Sequence, residues 1–356
     1  MLAGIIGLPN VGKSSLFNAL TNLDTPVGSY MFATKEATQG IVFLEDKRLS
    51  VLKAMHQTKR IINATFEFID IPALVSGSSK GEGLGNTFLQ TIRNVDCLVH
   101  VVRCFHDEDV LHAFDTLDPI RDIETIQLEL NYADLEQIEK RLARTKKGPK
   151  SDEQDVLIKL RDALYEDIPI RRLALSEDEL RLIKSYNFLS LKPLLYVANV
   201  DETDLGKETE MLKQIKAYAD NDNATMITLS AKVELELRDL DADDKALFMA
   251  ELNITESIGN KVVRGVFDLL KLETFFTSGE IETRAWTFKT GMNAKACAGI
   301  IHTDIERGFI RAETVAYDDL VYYGSDQKAK EAGKVRLEGK DYIVKDGDVI
   351  YFRFNV

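Results

Sequence analysis

The chain has 356 residues, 45% hydrophobic and 29% charged, so it is long enough for two or three domains with sizeable cores. Its net charge of −13, from 45 basic and 58 acidic residues, argues against a protein that coats nucleic acid by general phosphate neutralisation. It contains no run of about 18 apolar residues and no basic region before its first apolar run, and Cys97, Cys104 and Cys297 form no C-x-x-C pair. We therefore expect a cytoplasmic protein that does not contact membranes.

The first apolar run and the loop after it carry the strongest signal. Residues 2–7 have the pattern of a buried parallel strand, and residues 7–14 read Gly-Leu-Pro-Asn-Val-Gly-Lys-Ser, a complete G-x-x-x-x-G-K-[ST] phosphate loop. The glycines let the backbone wrap around a triphosphate, Lys13 would reach the β- and γ-phosphates from an exposed loop, and Ser14 would ligate Mg²⁺. The alternative is a glycine-rich turn without a ligand. The contacts expected from this segment are Asn10, Val11, Gly12, Lys13, Ser14 and Ser15.

Three further segments are expected around the phosphates. Thr34, in the loop after the first helix, is expected to supply a second hydroxyl to Mg²⁺. Asp70 ends the apolar run 66–69, where a phosphate-loop protein places its metal-linked acid, and capping of a helix or turn is the alternative. Residues 75–86 contain four glycines, so this loop either becomes ordered with the γ-phosphate or is a plain flexible connection.

The next two features follow the apolar run 97–102. His106 and His112 could reach the γ-phosphate if their loop folds over the site; otherwise they are surface or packing residues. Residues 121–190 then show two stretches of helical spacing around a Lys-Gly-Pro-Lys break, which predicts an inserted helical hairpin. A basic cluster at its tip is interpreted either as an RNA contact or as a solvated end: Lys140, Arg141, Arg144, Lys146, Lys147 and Lys150.

The base-recognition motif is unusual. Residues 199–202 read Asn-Val-Asp-Glu after an apolar strand, at the place where GTP-binding proteins of this layout carry Asn-Lys-x-Asp. An aspartate there accepts hydrogen bonds from guanine, and Glu202 with Val200 removes that clamp while Val200 offers the base an apolar surface. Asn199 begins this motif, and Ser230 and Ala231 follow the next strand, where they would close the base pocket.

The spacing of the apolar runs predicts the architecture. Runs at 2–7, 41–44, 66–71, 97–102, 193–198 and 225–229 alternate with helical patterns, which predicts an α/β fold with a doubly wound, mainly parallel sheet. We expect a nucleotide domain at 1–120 and 191–276, the hairpin at 121–190 and a last domain at 277–356. In that last domain, residues 277–280 are predicted to be a linker, and strands at 335–337 and 342–344 to flank a turn in a small β-rich module with one helix.

Together these motifs resemble the Obg-like ATPase family, called YchF in bacteria, along essentially the whole chain. The segments that carry the resemblance are 7–14, 80–86, 199–202, 230–234, 284–287, 308–313, 339–342 and 352–356. The resemblance implies a Ras-like phosphate-loop domain with the inserted hairpin, and a C-terminal TGS domain of ubiquitin-like β-grasp fold. It also implies preference for ATP over GTP and association with the ribosome, as the large subunit or the 70S particle, and its ribosomal RNA. Where the family reads Asp-x-Ala-Gly-Leu, residues 70–74 read Asp-Ile-Pro-Ala-Leu, so Ala73 keeps the N–H but loses the freedom of glycine at positive φ.

Hydrolysis in such a site depends on positioning and charge neutralisation. Leu74 stands where Ras-like enzymes often place a glutamine and cannot polarise water, so we expect slow turnover without a partner. Asn10 resembles the asparagine that holds K⁺ in cation-stimulated relatives, so the catalytic candidates are Lys13, Asn10 and His112. We predict a monomeric, ribosome-associated ATPase with Mg²⁺ and K⁺ as its ions, whose nucleotide state controls binding. The alternatives are a GTPase of the same fold and a non-hydrolysing ATP-dependent binding or stress-signalling module.

Overall fold

A computed structural model describes residues 1–21, 23, 37–72, 84–114, 116–145, 151–252 and 258–355. Thr34, Ala73, Leu74, most of the 75–86 loop and the basic tip at 146–150 lie outside these residues. The chain divides into two compact units, Met1–Ile41 with Glu67–Leu269 and Val42–Phe66 with Leu270–Val356. In the described residues, no helix is long and apolar enough to cross a membrane.

The described strands and helices have the following bounds. The strands are β1 Leu2–Ile6, β2 Thr38–Leu44, β3 Arg60–Ile62, β4 Ala64–Asp70, β5 Cys97–Cys104, β6 Leu194–Val200, β7 Thr225–Leu229, β8 Leu272–Ser278, β9 Glu282–Lys289, β10 Phe309–Ala316, β11 Arg336–Glu338 and β12 Asp348–Phe354. The helices are α1 Lys13–Thr21, α2 Lys47–His56, α3 Leu84–Arg93, α4 Pro119–Thr145, α5 Asp152–Tyr165, α6 Glu177–Ile183, α7 Glu210–Asn221, α8 Ala231–Asp239, α9 Ala242–Glu251, α10 Ile258–Leu269, α11 Ala294–Ile301, α12 Thr303–Arg307, α13 Tyr317–Tyr323 and α14 Asp326–Glu331.

The first unit is built on a mainly parallel sheet. Its strand order is β2-β4-β1-β5-β6-β7, and β1 pairs in parallel with both β4 and β5. Every residue of β5 and β6 is buried, as expected of central parallel strands covered on both faces. Because the strand order switches direction around β1, a crevice opens at the carboxyl ends of these strands, where α/β sheets bind their ligands. The predicted mainly parallel sheet is confirmed.

The predicted helical insert is also present. Helices α4 and α5 pack through an apolar cluster that includes Ile138, Leu157 and Leu160, and Ser151 starts α5 with a capping box. At the base of the insert, the fully buried Asp222 carboxylate accepts hydrogen bonds from Arg171 and Arg172 and from the Tyr196 hydroxyl. This buried ion network ties the segment after α5 to β6 and to the end of α7.

The second unit has its own sheet, in the order β11-β10-β12-β8-β9-β3. The hairpin β8–β9 is antiparallel, β12 lies parallel to β8, and β10 is antiparallel to β12. Helix α11 covers one face through Cys297 and Ala298, and α2 covers the other through Leu49 and Leu52. The unit thus contains a β-hairpin, a helix and strands that return to the sheet, and β8 and β12 lie parallel at its centre. This is the β-grasp order that the resemblance implied.

Several details of the second unit differ from the expectation. Thr277 and Ser278 belong to β8, so 277–280 is a strand end and hairpin turn and the linker prediction is wrong. Residues 342–344 do not pair with β11, which pairs with β10; Ile343 instead bridges to Asn293. The described part of the unit after residue 277 contains four short helices, α11 to α14, where one was predicted.

The compact units also differ from the predicted domain boundaries. The second unit starts at 270 and includes the segment 42–66, whose β3 pairs in parallel with β9. The helical insert belongs to the first unit. The three-part division at 120, 190 and 276 remains a prediction.

Candidate nucleotide site

The phosphate loop joins β1 to α1 in a conformation that requires its glycines. Gly12 has φ 96°, and a Cβ placed on it would lie 2.3 Å from the Asn199 Nδ2 atom. Gly7 has φ 151°, and a Cβ there would lie 2.5 Å from the Val101 carbonyl oxygen. Both positions are closed to any other residue because the backbone approaches its neighbours so tightly. The loop therefore forms a preshaped turn at the amino end of α1, where N–H groups and the helix dipole favour an anion.

Lys13 is buried beneath this loop. Its side chain is 7% exposed, so the expectation of an exposed position is wrong. The Nζ atom donates a hydrogen bond of 2.7 Å to the Leu8 carbonyl, which folds the ammonium back over the loop. Burial lowers the pKa of Lys13 to about 8, and the Asp70 carboxylate partly opposes this shift. A phosphate that accepted this hydrogen bond in place of the Leu8 carbonyl would give the ammonium an anionic partner.

Ser14 and Asp70 meet beside the loop. The Ser14 hydroxyl donates a hydrogen bond of 2.7 Å to Asp70 Oδ2. Burial raises the pKa of Asp70, while the Ser14 hydroxyl and the Lys13 ammonium act in the opposite direction. Asp70 Oδ1 is buried and has no hydrogen-bond partner among the residues described. A hydroxyl beside a buried carboxylate with an unsatisfied oxygen suits a hard divalent cation or its bound water, so these residues fit Mg²⁺.

Asn199 links the phosphate loop to the predicted base pocket. Its Nδ2 donates to the Val11 carbonyl at 2.9 Å, and its Oδ1 accepts from the Ala231 N–H at 2.9 Å. Ser230 is buried at the start of α8, so the structure brings Asn199, Ser230 and Ala231 together with the phosphate loop. Glu202 is exposed on the turn that follows β6, and Val200 is only 3% exposed.

The loop after β5 lies against the phosphate loop. Asn10, at φ 61°, donates from its Nδ2 to the Leu111 carbonyl at 3.0 Å. Arg103, buried at the end of β5, donates to the carbonyls of Phe105, Asp107 and Val110 and so shapes the loop from below.

The two histidines of this loop have different surroundings. The His106 N–H donates to Asp201 Oδ2 at 3.2 Å, and its side chain is exposed. His112 lies beside Asp122 of α4, with 2.8 Å between Nε2 and Oδ2, and its Nδ1 contacts the backbone of Phe114.

Some site residues were not singled out from sequence. Arg103 could have been recognised from the sequence, because an arginine inside an otherwise apolar strand needs buried hydrogen-bond partners. Asp122 gave none, since an acid in the first turn of a helix is ordinary. Ser15 lies half-buried at the third position of α1, as its place in the motif requires.

Comparison with known proteins decides the family. The profile named MMR_HSR1, a 50S ribosome-binding GTPase, matches residues 2–146, and YchF-GTPase_C, described as a protein of unknown function, matches residues 272–355. The chain is 49% identical to the Ribosome-binding ATPase YchF of Bacillus subtilis, with complete coverage of both chains, and 44% identical to that of Escherichia coli O157:H7, with 99% coverage of both.

The chain belongs to the YchF family. A solved structure titled as the YchF GTPase of Schizosaccharomyces pombe superposes with a TM-score of 0.86 at 33% identity, covering 99% of this chain and 97% of that one. The family predicted from the motifs is thus confirmed, together with its phosphate-loop domain, helical insert and second β-sheet domain.

Proposed function

We propose that this YchF-family protein binds ATP in the crevice beside β1, hydrolyses it to ADP and phosphate, and binds ribosomes. The observation that carries the proposal is the Asn199 clasp, because one side chain joins the phosphate loop at Val11 to the base-pocket loop at Ala231. Full-length relatives that bear the name Ribosome-binding ATPase support the same activity. Ribosome binding would place the protein in the cytoplasm.

The base motif supports ATP over GTP. A guanine clamp needs a short carboxylate fixed opposite the N1–H and 2-amino donors, and Glu202 is a longer, exposed side chain at that place. A site without these partners has nothing that rejects adenine. GTP is the second candidate, because the fission yeast relative is titled a GTPase.

Two ions would assist. Mg²⁺ would be held by Ser14 with Asp70 behind it, and Thr34, outside the described residues, would add a second hydroxyl; the ion supplies positive charge to the β- and γ-phosphates. Asn10 would help to hold K⁺, although its Nδ2 is engaged with Leu111 here. His112 would have to leave Asp122 to reach a γ-phosphate, and Leu74 offers no substitute, so basal turnover should be well below one per second.

Titration calorimetry with ATP and with GTP tests the assignment. We expect ATP to bind at least tenfold more tightly, about 1.4 kcal/mol. Glu202→Asp should narrow that ratio, and Asp204→Glu, a carboxylate change on the same turn, should leave it unchanged. Val200→Lys would complete the usual GTP motif but would bury an ammonium, so it is the poorer test. Equal or tighter GTP binding by the parent protein would contradict the ATP assignment.

Phosphate release and co-sedimentation by the parent protein test the hydrolysis and the ribosome binding. Phosphate release should require Mg²⁺, rise when K⁺ replaces Na⁺, and rise again with purified ribosomes; co-sedimentation should show ribosome binding that depends on the nucleotide. Binding of ATP without any phosphate release, even with ribosomes present, would favour the non-hydrolysing alternative.

A further inference from the structure

One end of the second unit carries a concentration of lysines. The segments 271–273, 289–295 and 339–345 contain five lysines and two acidic residues, in a chain whose net charge is −13. All five side chains are exposed: Lys271, Lys289, Lys295, Lys340 and Lys345. We call this set the lysine end. Among the described residues, none of the five forms an ion pair with a carboxylate.

Backbone hydrogen bonds bring these three segments together. The Thr290 N–H donates to the Lys271 carbonyl at 2.9 Å, and the Ala294 N–H donates to the Tyr342 carbonyl at 2.8 Å. The Lys295 N–H points to the Lys340 carbonyl at 3.4 Å. The three segments that carry the lysines are therefore adjacent at one end of the unit, although they come from separate parts of the chain.

Two turns of the lysine end are uncrowded. Gly291, at φ 88°, and Gly339 lie in the two turns, and a Cβ on either would meet no described atom within 4 Å. One of the two acids, Glu273, accepts a hydrogen bond from the Thr290 hydroxyl. A long polyanion can approach these two turns closely, since no ion pair among the described lysines has to be displaced first.

Two of the three described residues of the basic hairpin cluster differ. Lys140 contacts Glu136 at 2.6 Å, and Arg141 contacts Glu153 at 3.0 Å, so both already have acidic partners. Breaking an ion pair to free a lysine or arginine offsets part of the free energy that its phosphate contact would contribute. The lysines of the lysine end have no ion pair to break.

We propose that the lysine end binds the phosphate backbone of RNA and is a ribosomal contact of the C-terminal unit. This rests on the proposed ribosome binding and names the surface and the chemistry that would serve it. RNA is preferred to a protein partner because five exposed lysines lie there and Ile343 is the single large apolar side chain that these described segments expose.

The test compares two double variants with equal charge change in the same unit. Lys289→Gln/Lys295→Gln removes two charges from the lysine end, and Lys328→Gln/Lys330→Gln removes two exposed lysines from α14. Unchanged melting temperature and ATP turnover would show that both are folded. Ribosome co-sedimentation across a salt series should give the first variant a log–log salt slope shallower by about 1.5, since each phosphate contact contributes about 0.7–0.9, and leave the second unchanged. Lys271→Gln/Lys340→Gln should repeat the effect.

A second arm uses purified ribosomal RNA, free of protein, in filter binding. The parent should bind it, and the lysine-end variants should bind it more weakly. Weaker ribosome binding with an unchanged salt slope would point to a ribosomal protein as the partner and overturn the RNA assignment, as would equal behaviour of the two doubles. A parent that hydrolyses ATP but does not pellet with ribosomes contradicts the proposed function, while the RNA arm still decides the lysine end.

Discussion

Asn199 connects two loops through one amide group, and both of its hydrogen bonds are buried. Asn199→Ala would leave the Val11 carbonyl and the Ala231 N–H without partners, so we expect the free energy of unfolding to fall by about 2 kcal/mol or more, and ATP affinity with it. Urea denaturation and calorimetry measure the two effects. Asn199→Asp keeps an acceptor for the Ala231 N–H but sets a buried carboxylate oxygen against the Val11 carbonyl oxygen, so it should destabilise the protein at least as much as Asn199→Ala. An Asn199→Ala protein as stable as the parent would refute the clasp.

The lowered pKa of Lys13 predicts a pH dependence. A lysine whose pKa is about 8 loses its charge as pH rises through that value, and phosphate binding needs the charged form. ATP affinity should therefore fall about tenfold between pH 7 and pH 9, with proton uptake on binding near pH 8. Calorimetry in buffers of different ionisation enthalpy detects the uptake. Lys13→Met should bind weakly at every pH and take up no proton, and the same pH dependence in that variant would assign the effect to another group.

At this scale, motif residues could be predicted because the geometry of a phosphate loop fixes the spacing of its residues. Lys13, Ser14, Asp70 and Asn199 lie where the motifs require. What could not be predicted is how the unliganded side chains are engaged, such as Lys13 with Leu8 and His112 with Asp122, because those contacts depend on loop conformation that no spacing encodes.

Among the elements, the base of the helical insert offers the sharpest test. Asp222 is fully buried between two guanidinium groups and the Tyr196 hydroxyl, while Asp220, two residues earlier in α7, is exposed. Asp222→Asn would leave Arg171 and Arg172 without their counter-charge, so we expect a loss of about 3–5 kcal/mol in the free energy of unfolding. Asp220→Asn should cost less than about 0.5 kcal/mol. Similar losses in both variants by urea denaturation would contradict a structural role for the buried network.

The long elements were predictable because their apolar period is uninterrupted. Strand β5 is apolar along most of its length, and α4 runs for 27 residues with helical spacing. The short elements of the second unit were not: α12 has five residues, and β11 has three. Residues 342–344 follow a turn that suggests a hairpin with the strand just before it. Instead, the Val344 N–H donates to the Met292 carbonyl and the Tyr342 carbonyl accepts from the Ala294 N–H, so the partner is a segment about 50 residues earlier in the chain.

For the whole molecule, the segment 42–66 determines whether the second unit can fold as a separate fragment. Leu49 and Leu52 of α2 and Ala64 share a core cluster with Phe276, Ala285 and Val315. A fragment of residues 270–356 would expose that face, so we expect it to lack a cooperative thermal transition. Joining residues 42–66 ahead of it through a flexible linker should restore cooperative unfolding and dispersed amide resonances. A well-folded 270–356 fragment would show that the 42–66 segment is dispensable.

No sequence pattern predicted that segment's place. Its strand run at 41–44 and its helical spacing fit the strand–helix alternation of a parallel sheet equally well, and only the pairing of Arg60 with Glu282 and its neighbours reveals the second sheet. Contacts between residues so far apart in the chain leave no local periodicity from which they could be inferred.

The shared core of the second unit also sets an order of events during translation. Roughly 200 residues separate the segment 42–66 from the remainder of its unit. At about 5–20 residues per second, the apolar side of α2 leaves the ribosome about 10 to 40 s before its partner strands exist. During that interval the apolar face of α2 is exposed on the nascent chain, so we expect a chaperone that binds unfolded segments to recognise it. The last step of folding then joins a segment from the beginning of the polypeptide to strands from its end.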